Sequence, residues 1–417
     1  MHCPASAETS RIILSLMSGT SVDSIDAAIC RVWQRDAKLD CEVLAFREHP
    51  ISPGLRERIF RVFQDEAGSL ALACSLNFEI AQAFAHAALA VVRQWDGDHR
   101  KIDAIASHGQ TLYHIAPHMV AEAAGANLGW VASTLQVGEG AVISALTGLP
   151  VISNFRVADM AVGGNGAPLV PFADYHLLSR PGEGIVVHNL GGIGNCTWLP
   201  PSGEADDVIA FDTGPANMII DGLVSHFYPG ETYDANGSHA AGGTVNSELL
   251  SRWMEIGYIT QPPPKSTGRE LFGRQFVERI IAEHPAGAAD DLIATATEFT
   301  ALSLVENLVR FVEPRGHIDR IILAGGGARN GYLVGRIAGL WSGRASKTSA
   351  PGKAELDIVV TLDSLGLPIT SKSRECVGFA LLGFAHLAGI PGNLPGVTGA
   401  KCPVVLGDYT PILMNQH

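Results

Sequence analysis

Short apolar runs, each closed by a small or polar cluster, recur along this chain. Residues 11–17 (RIILSLM) predict a buried strand, 27–33 (AAICRVW) a second and 40–48 (DCEVLAFRE) a third. The turn after the first is Ser-Gly-Thr-Ser, so the three form a meander opened by a turn of glycine and hydroxyls. The pattern then lengthens: 52–65 and 69–95 predict helices. KIDAIAS (101–107) is a strand ending at His108-Gly-Gln-Thr, 113–133 an irregular insertion, TLQVG (134–138) a strand, 140–148 a helix and 149–155 a strand. After the glycine-rich stretch 163–171 the pattern restarts. GIVVHNL (184–190) is a strand, 191–195 a small-residue turn, 196–199 a strand and 208–212 another, with a helix from Met218 to Phe227. Helices follow at 244–256, 269–283 and 289–312. A strand (318–324) then runs into Gly325-Gly-Gly, a helix begins, and a last helix covers 373–388. The extended tail is expected to return to the first half. Both halves begin strand, small turn, strand, a weak internal repeat that points to two related α/β lobes.

Composition narrows the class. The 417 residues exceed one compact core, and 47% of them are hydrophobic. A net charge of −13 without a large Lys/Arg cluster argues against nucleic acid and anionic membrane as partners. Seven scattered cysteines without a CxxC fit reduced thiols in the cytoplasm, not a zinc site or disulfide framework. The N-terminus lacks signal-peptide features, and no apolar run reads as a membrane span.

The candidate chemistry sits at strand ends. Asp212 closes an apolar run and opens Thr-Gly-Pro-Ala-Asn before a helix, so the acid can serve as a base while backbone N–H groups hold an anion. An acidic helix cap is the plainer alternative. The first turn carries Thr20, Ser21 and Asp23, a hairpin able to grasp phosphate with a carboxylate placed for a metal ion. His108 and Gln110 are ligand candidates at the end of their strand. The Gly325–Asn330 stretch lies at a strand–helix junction and suits a nucleotide. No GxxxxGK[ST], GxGxxG, HExxH or GxSxG occurs, which leaves P-loop NTPases, Rossmann dehydrogenases, HExxH-type zinc proteases and α/β-hydrolases unsupported. Glycine loops without a P-loop lysine need Mg²⁺ to offset the triphosphate charge, and a lone Asp suits deprotonation of a hydroxyl or water.

LMSGTS-x-D-x-x-D, SHGQT, GGNGAPLVP, NLGGIGN, FDTGPAN, KSTGRE, GGGARN and PGNLPGVTGA, in this order from residue 16 to about 407, resemble the anhydro-N-acetylmuramic acid kinases of the actin/hexokinase/Hsp70 superfamily. The resemblance implies two duplicated actin-like (ribonuclease H-like) lobes around a central ATP cleft: 1–166 with 390–417, and 167–389. It implies that water attacks C1 of a 1,6-anhydro sugar, the bridge opens, and O6 takes the γ-phosphate of ATP–Mg²⁺. Carried onto this chain, Asp212 is the base. Gly19, Thr20, Ser21, Asp23, Gly191, Gly192, Gly214, Asn217, Gly325, Gly326, Gly327 and Asn330 meet ATP. His108, Gln110, Arg156 and Asp159 line the sugar side, and Asp23 and Glu375 the metal. A cytoplasmic location fits this, and a homodimer is compatible with it. Ser24, Glu139 and Asn154 depart from the family pattern. A 1,6-anhydroglucose kinase and a non-catalytic sugar- or nucleotide-binding protein stay open as alternatives.

Overall fold

A computed structural model describes residues 10–413 except 20, 64–68, 118, 121–128, 285–288 and 346–357. The chain splits into two compact units, Met1–Leu177 with Ser373–His417, and Leu178–Lys372. Unit 1 contains β1 (Arg11–Met17), β2 (Ser24–Arg35), β3 (Lys38–Pro50), β4 (Ile102–Ser107), β5 (Gln110–Ile115), β6 (Ser133–Val137), β7 (Val151–Ser153) and a short strand at Asp408–Thr410. Unit 2 contains β8 (Ile185–Leu190), β9 (Ile193–Leu199), β10 (Ile209–Pro215), β11 (Arg320–Ala324) and β12 (Val359–Thr361).

The main sheet of unit 1 runs β3-β2-β1-β4-β7, with Asp408–Thr410 at the outer edge. The sheet of unit 2 runs β10-β9-β8-β11-β12. In each, the first three strands form an antiparallel meander, and the fourth and fifth lie parallel to the first. The internal repeat read from the sequence is thus a repeat of topology, and the fold is α/β with duplicated lobes. Parallel neighbours need crossovers, which the helices supply. β1 is central because its apolar run is buried on both faces: Ile13, Leu14 and Leu16 are fully covered. One face packs on Leu76, Phe84 and Val91 of the Ser69–Gln94 helix. The other carries the Arg374–Ala388 helix, which the sequence reading had given to the second lobe: a Cβ on Gly383 would lie 2.8 Å from Cβ of Ala106 on β4.

Several expected elements differ. Residues 113–115 belong to β5, paired with β6 through Ile115↔Ser133; none of the three is buried, so no apolar alternation marks them as strand. The rest of that insertion lies partly outside the described residues. The helix expected at 269–283 breaks at Gly273 into Arg269–Phe272 and Arg274–Glu283. Two helices, Leu70–Gln94 and Ala289–Arg315, are long and apolar enough to pass for membrane spans, against the reading that none is. The more apolar window of the second is 83% buried in protein, as expected of a core helix.

Candidate active site

β10 is an edge strand, so one side of its backbone is free to bond a loop. Asp212 uses that freedom. Its N–H donates to the carbonyl of Lys265 (3.2 Å), and its carbonyl accepts from Tyr258 Oη (3.0 Å). Its carboxylate Oδ2 accepts from the N–H of Thr267 (2.9 Å), and no described residue bonds Oδ1. Burial pushes its pKa up to about 6, Glu270 adds to that, and the Thr267 N–H and Lys265 oppose it. The group is therefore a carboxylate at neutral pH with one oxygen fixed and one available.

The ladder slips just after Asp212, where a bulge at Thr213 re-aims the chain. The Thr213 carbonyl accepts from Ser303 Oγ (2.6 Å) and Asn307 Nδ2 (3.0 Å), and the Ala216 carbonyl from Thr300 Oγ1 (3.1 Å). These three side chains stand on one face of the Ala289–Asn307 helix. Gly214 has φ +134, and a Cβ there would lie 2.5 Å from Ser303 Oγ. Only glycine lets the turn sit this close.

The glycine turn at 191–192 closes on the same segment. Carbonyls of Gly191 and Gly192 accept from the N–H groups of Ala216, Asn217 and Met218. The entrance to the Asn217–Phe227 helix is therefore already bonded, contrary to the expectation of free N–H groups there. The Asn217 side chain donates to the Leu190 carbonyl (2.9 Å). The third turn leaves β11 at Gly325, where φ is +83 and a Cβ would meet Asn189 Oδ1 at 2.7 Å. Asn330, placed on the ATP side from the sequence, caps the next helix: its Oδ1 accepts from Leu333 N–H (3.0 Å). Gly326 and Gly327 lie between them, beside Asn217.

In unit 1 the first turn holds Gly19, Ser21 and Asp23; Thr20 lies outside the described residues. Asp23 is exposed and paired with Arg56 (3.1 Å), which also donates to the Ser21 carbonyl. Gln110 is buried against this turn. It accepts from Ser18 Oγ (2.8 Å) and donates to the carbonyls of Gly19 and Thr111. The other expected sugar-side residues meet in one hub. Arg156 Nε and Nη2 donate to His108 Nε2, and Arg156 Nη1 donates to the Gly166 carbonyl (2.8 Å). The Gly166 N–H donates to Asp159 (2.7 Å), which also accepts from Asn393 (2.8 Å) and Thr398 (2.7 Å) of the tail. His108 Nδ1 donates to the Gly109 carbonyl (2.8 Å), so the ring is neutral with both nitrogens used. Burial, aided by Arg156, lowers its pKa to about 3. Glu375 is partly exposed beside the charges of Arg374 and Arg156; desolvation raises its pKa and the two guanidiniums oppose that.

The defining pattern of the family "Anhydro-N-acetylmuramic acid kinase" matches residues 11–412. The chain belongs to the anhydro-N-acetylmuramic acid kinase family. Relatives of that name include those of Caldanaerobacter subterraneus subsp. tengcongensis (39% identical; 95% of this chain, 96% of the relative) and Clostridioides difficile (39%; 95% and 98%). The Synechococcus elongatus relative is 40% identical, with 95% and 98% covered. The protein is thus an enzyme, a kinase of the phosphotransferase class, and the sites above are read for that chemistry.

Two departures from the anhydro-N-acetylmuramic acid kinase pattern have local causes. Asn154 adopts φ +62, which Asn tolerates, and donates to Asp408 (2.9 Å), which a carboxylate could not do. Glu139 caps the Gly140–Thr147 helix through Ala141 N–H. Sequence reasoning quoted KSTGRE as a motif without giving Lys265 or Thr267 a role, and missed Tyr258, Thr300, Ser303 and Asn307. One signal was available for the last three: small polar residues at i, i+3 and i+7 place them on one face of the helix.

Proposed function

We propose that the protein uses ATP to convert 1,6-anhydro-N-acetylmuramic acid into N-acetylmuramic acid 6-phosphate. The observation that carries the mechanism is the half-held carboxylate of Asp212. Its Oδ1 takes a proton from a water molecule as the water oxygen bonds to C1. The C1–O6 bond breaks with its electrons going to O6. O6 then attacks the γ-phosphorus, and ADP leaves. A pKa near 6 keeps the base ionised at neutral pH without making it too weak to accept a proton.

Gly19, Thr20 and Ser21 hold phosphate in this reading, with Gly191 and Gly192 and with Asp23 through the metal, while the Gly214–Asn217 turn, its N–H groups at 216 and 217 already bonded, backs the 191–192 turn. Gly325, Gly326, Gly327 and Asn330 serve the nucleoside side. Gln110, His108, Arg156 and Asp159 support the sugar side as walls, since their polar ends are taken up within unit 1. Mg²⁺ accompanies the nucleotide, and the exposed carboxylate of Asp23 fits a hard cation that keeps most of its waters. Glu375 does not fit: the charges of Arg374 and Arg156 already answer its carboxylate. The cytoplasm suits the six described cysteines, all of them unpaired.

The test is incubation with ATP–Mg²⁺ and either 1,6-anhydro-N-acetylmuramic acid or 1,6-anhydroglucose, with ADP and sugar phosphate measured. Equal amounts of ADP and phosphosugar with the first are expected. Turnover of anhydroglucose alone would overturn the substrate, and no ADP with either would overturn the kinase mechanism.

A further inference from the structure

The KSTGRE segment has no role in the reaction described so far, yet all three anchors of Asp212 lead to it or to its partner. The Lys265 carbonyl takes the N–H of Asp212, and the Thr267 N–H holds Oδ2. Tyr258 Oη, from the Gly257–Thr260 turn, holds the Asp212 carbonyl. Lys265 joins these two segments. Its Nζ donates to the carbonyls of Tyr258 (3.0 Å) and Ile259 (3.2 Å). It lies under the rings of Tyr258, Phe311 and Phe211, with centroids at 4.8, 5.0 and 6.0 Å.

A lysine only 7% exposed is costly unless its charge is answered. Among the described residues no carboxylate salt-bridges it; two carbonyls and three aromatic faces answer its charge. An apolar side chain would fill the same space at lower cost, so packing alone does not explain the ammonium.

We propose that Lys265 is the positioning residue of the base: it locks the 257–260 turn to the 265–267 loop so that Oδ2 of Asp212 is fixed and Oδ1 is presented to water. This rests on Asp212 being the base. The charged and titratable groups acting on Asp212 are Glu270 and Lys265, and those acting on Lys265 are Cys196, Asp212 and Arg310. Of these, only Lys265 and Arg310 are cations, so removing the ammonium leaves Asp212 harder to ionise.

The test compares Lys265→Met, Lys265→Arg and Tyr258→Phe with the wild-type full chain, using ATP–Mg²⁺ and 1,6-anhydro-N-acetylmuramic acid. Lys265→Met is expected to lose about 10²-fold in kcat, the scale of a small misplacement of a catalytic group. KM for both substrates should stay within about threefold, and the acid limb of the kcat–pH profile should move to higher pH. Lys265→Arg should recover part of kcat and return the limb toward its wild-type position. Tyr258→Phe keeps the buried ring and should lose about tenfold, as for one lost hydrogen bond. Should Lys265→Met fold poorly, Tyr258→Phe and Lys265→Arg carry the test. A folded Lys265→Met with wild-type kcat, or with lower kcat on an unmoved acid limb, or a folded Tyr258→Phe with wild-type kcat, overturns the positioning role. If Asp212→Asn itself keeps wild-type turnover, the fault lies with the base assignment instead.

Discussion

His108 follows the end of β4 and Asp212 sits in the middle of β10, and desolvation drives each toward its neutral form. In His108 the consequence is closure. One nitrogen donates, the other accepts from Arg156, and the ring lies 4.8 Å from Phe379. In Asp212 one oxygen is held and the other is not. A group with every lone pair and proton engaged can shape a site but has nothing left to exchange. A group fixed at one end and open at the other has both geometry and reactivity. The contrast assigns support to the hub of unit 1 and chemistry to the edge strand of unit 2.

That contrast can be broken by mutation. The largest stability effect is expected at Asp159→Ala, which removes the shared acceptor of the Gly166 N–H, Asn393 and Thr398 and leaves the last two only their longer bonds to the Cys402 and Leu394 carbonyls. The loss should be on the order of 4 kcal/mol in chemical denaturation. A loss below 1 kcal/mol would show that the hub does not carry load. Arg156→Met leaves His108 Nε2 and the Gly166 carbonyl unpaired and should cost about 2 kcal/mol.

Asp212→Asn should go the other way. Its folded pKa is raised, so the ionised form destabilises the fold above about pH 6, and that cost disappears as the pH falls toward 4. The Asn variant is expected to exceed wild type by about 1–2 kcal/mol at pH 8 and to match it near pH 4. A wild type that is more stable at pH 8 would count against the buried, half-held geometry. The smallest expected effect is at His108, whose lowered pKa keeps it neutral. Its imidazole NMR signals should not titrate between pH 8 and pH 5; a midpoint near 6.5 would mean that the hub is open.

Strand ends and glycine turns were legible in the sequence because apolar runs and small-residue clusters mark them locally. Asp212, the 191–192 turn and the 325–327 turn come from that signal. What was illegible is where polar side chains spend their hydrogen bonds, since the partners are distant in sequence: Ser18 for Gln110, residues 393 and 398 for Asp159. Polar residues at strand ends therefore read as ligand contacts, although the fold uses them internally. Lys265 was hidden for the same reason. Its sequence, KSTG, resembles an exposed loop, and it is the turn at 257–260 together with Phe211 and Phe311 that buries it.

Turnover by Asp212→Asn tests the central claim most directly. With saturating ATP–Mg²⁺ and 1,6-anhydro-N-acetylmuramic acid, ADP release should fall by about 10³-fold or more while both KM values stay within about threefold. A variant that releases ADP and phosphosugar at a near-wild-type rate contradicts the assignment of Asp212 as the base.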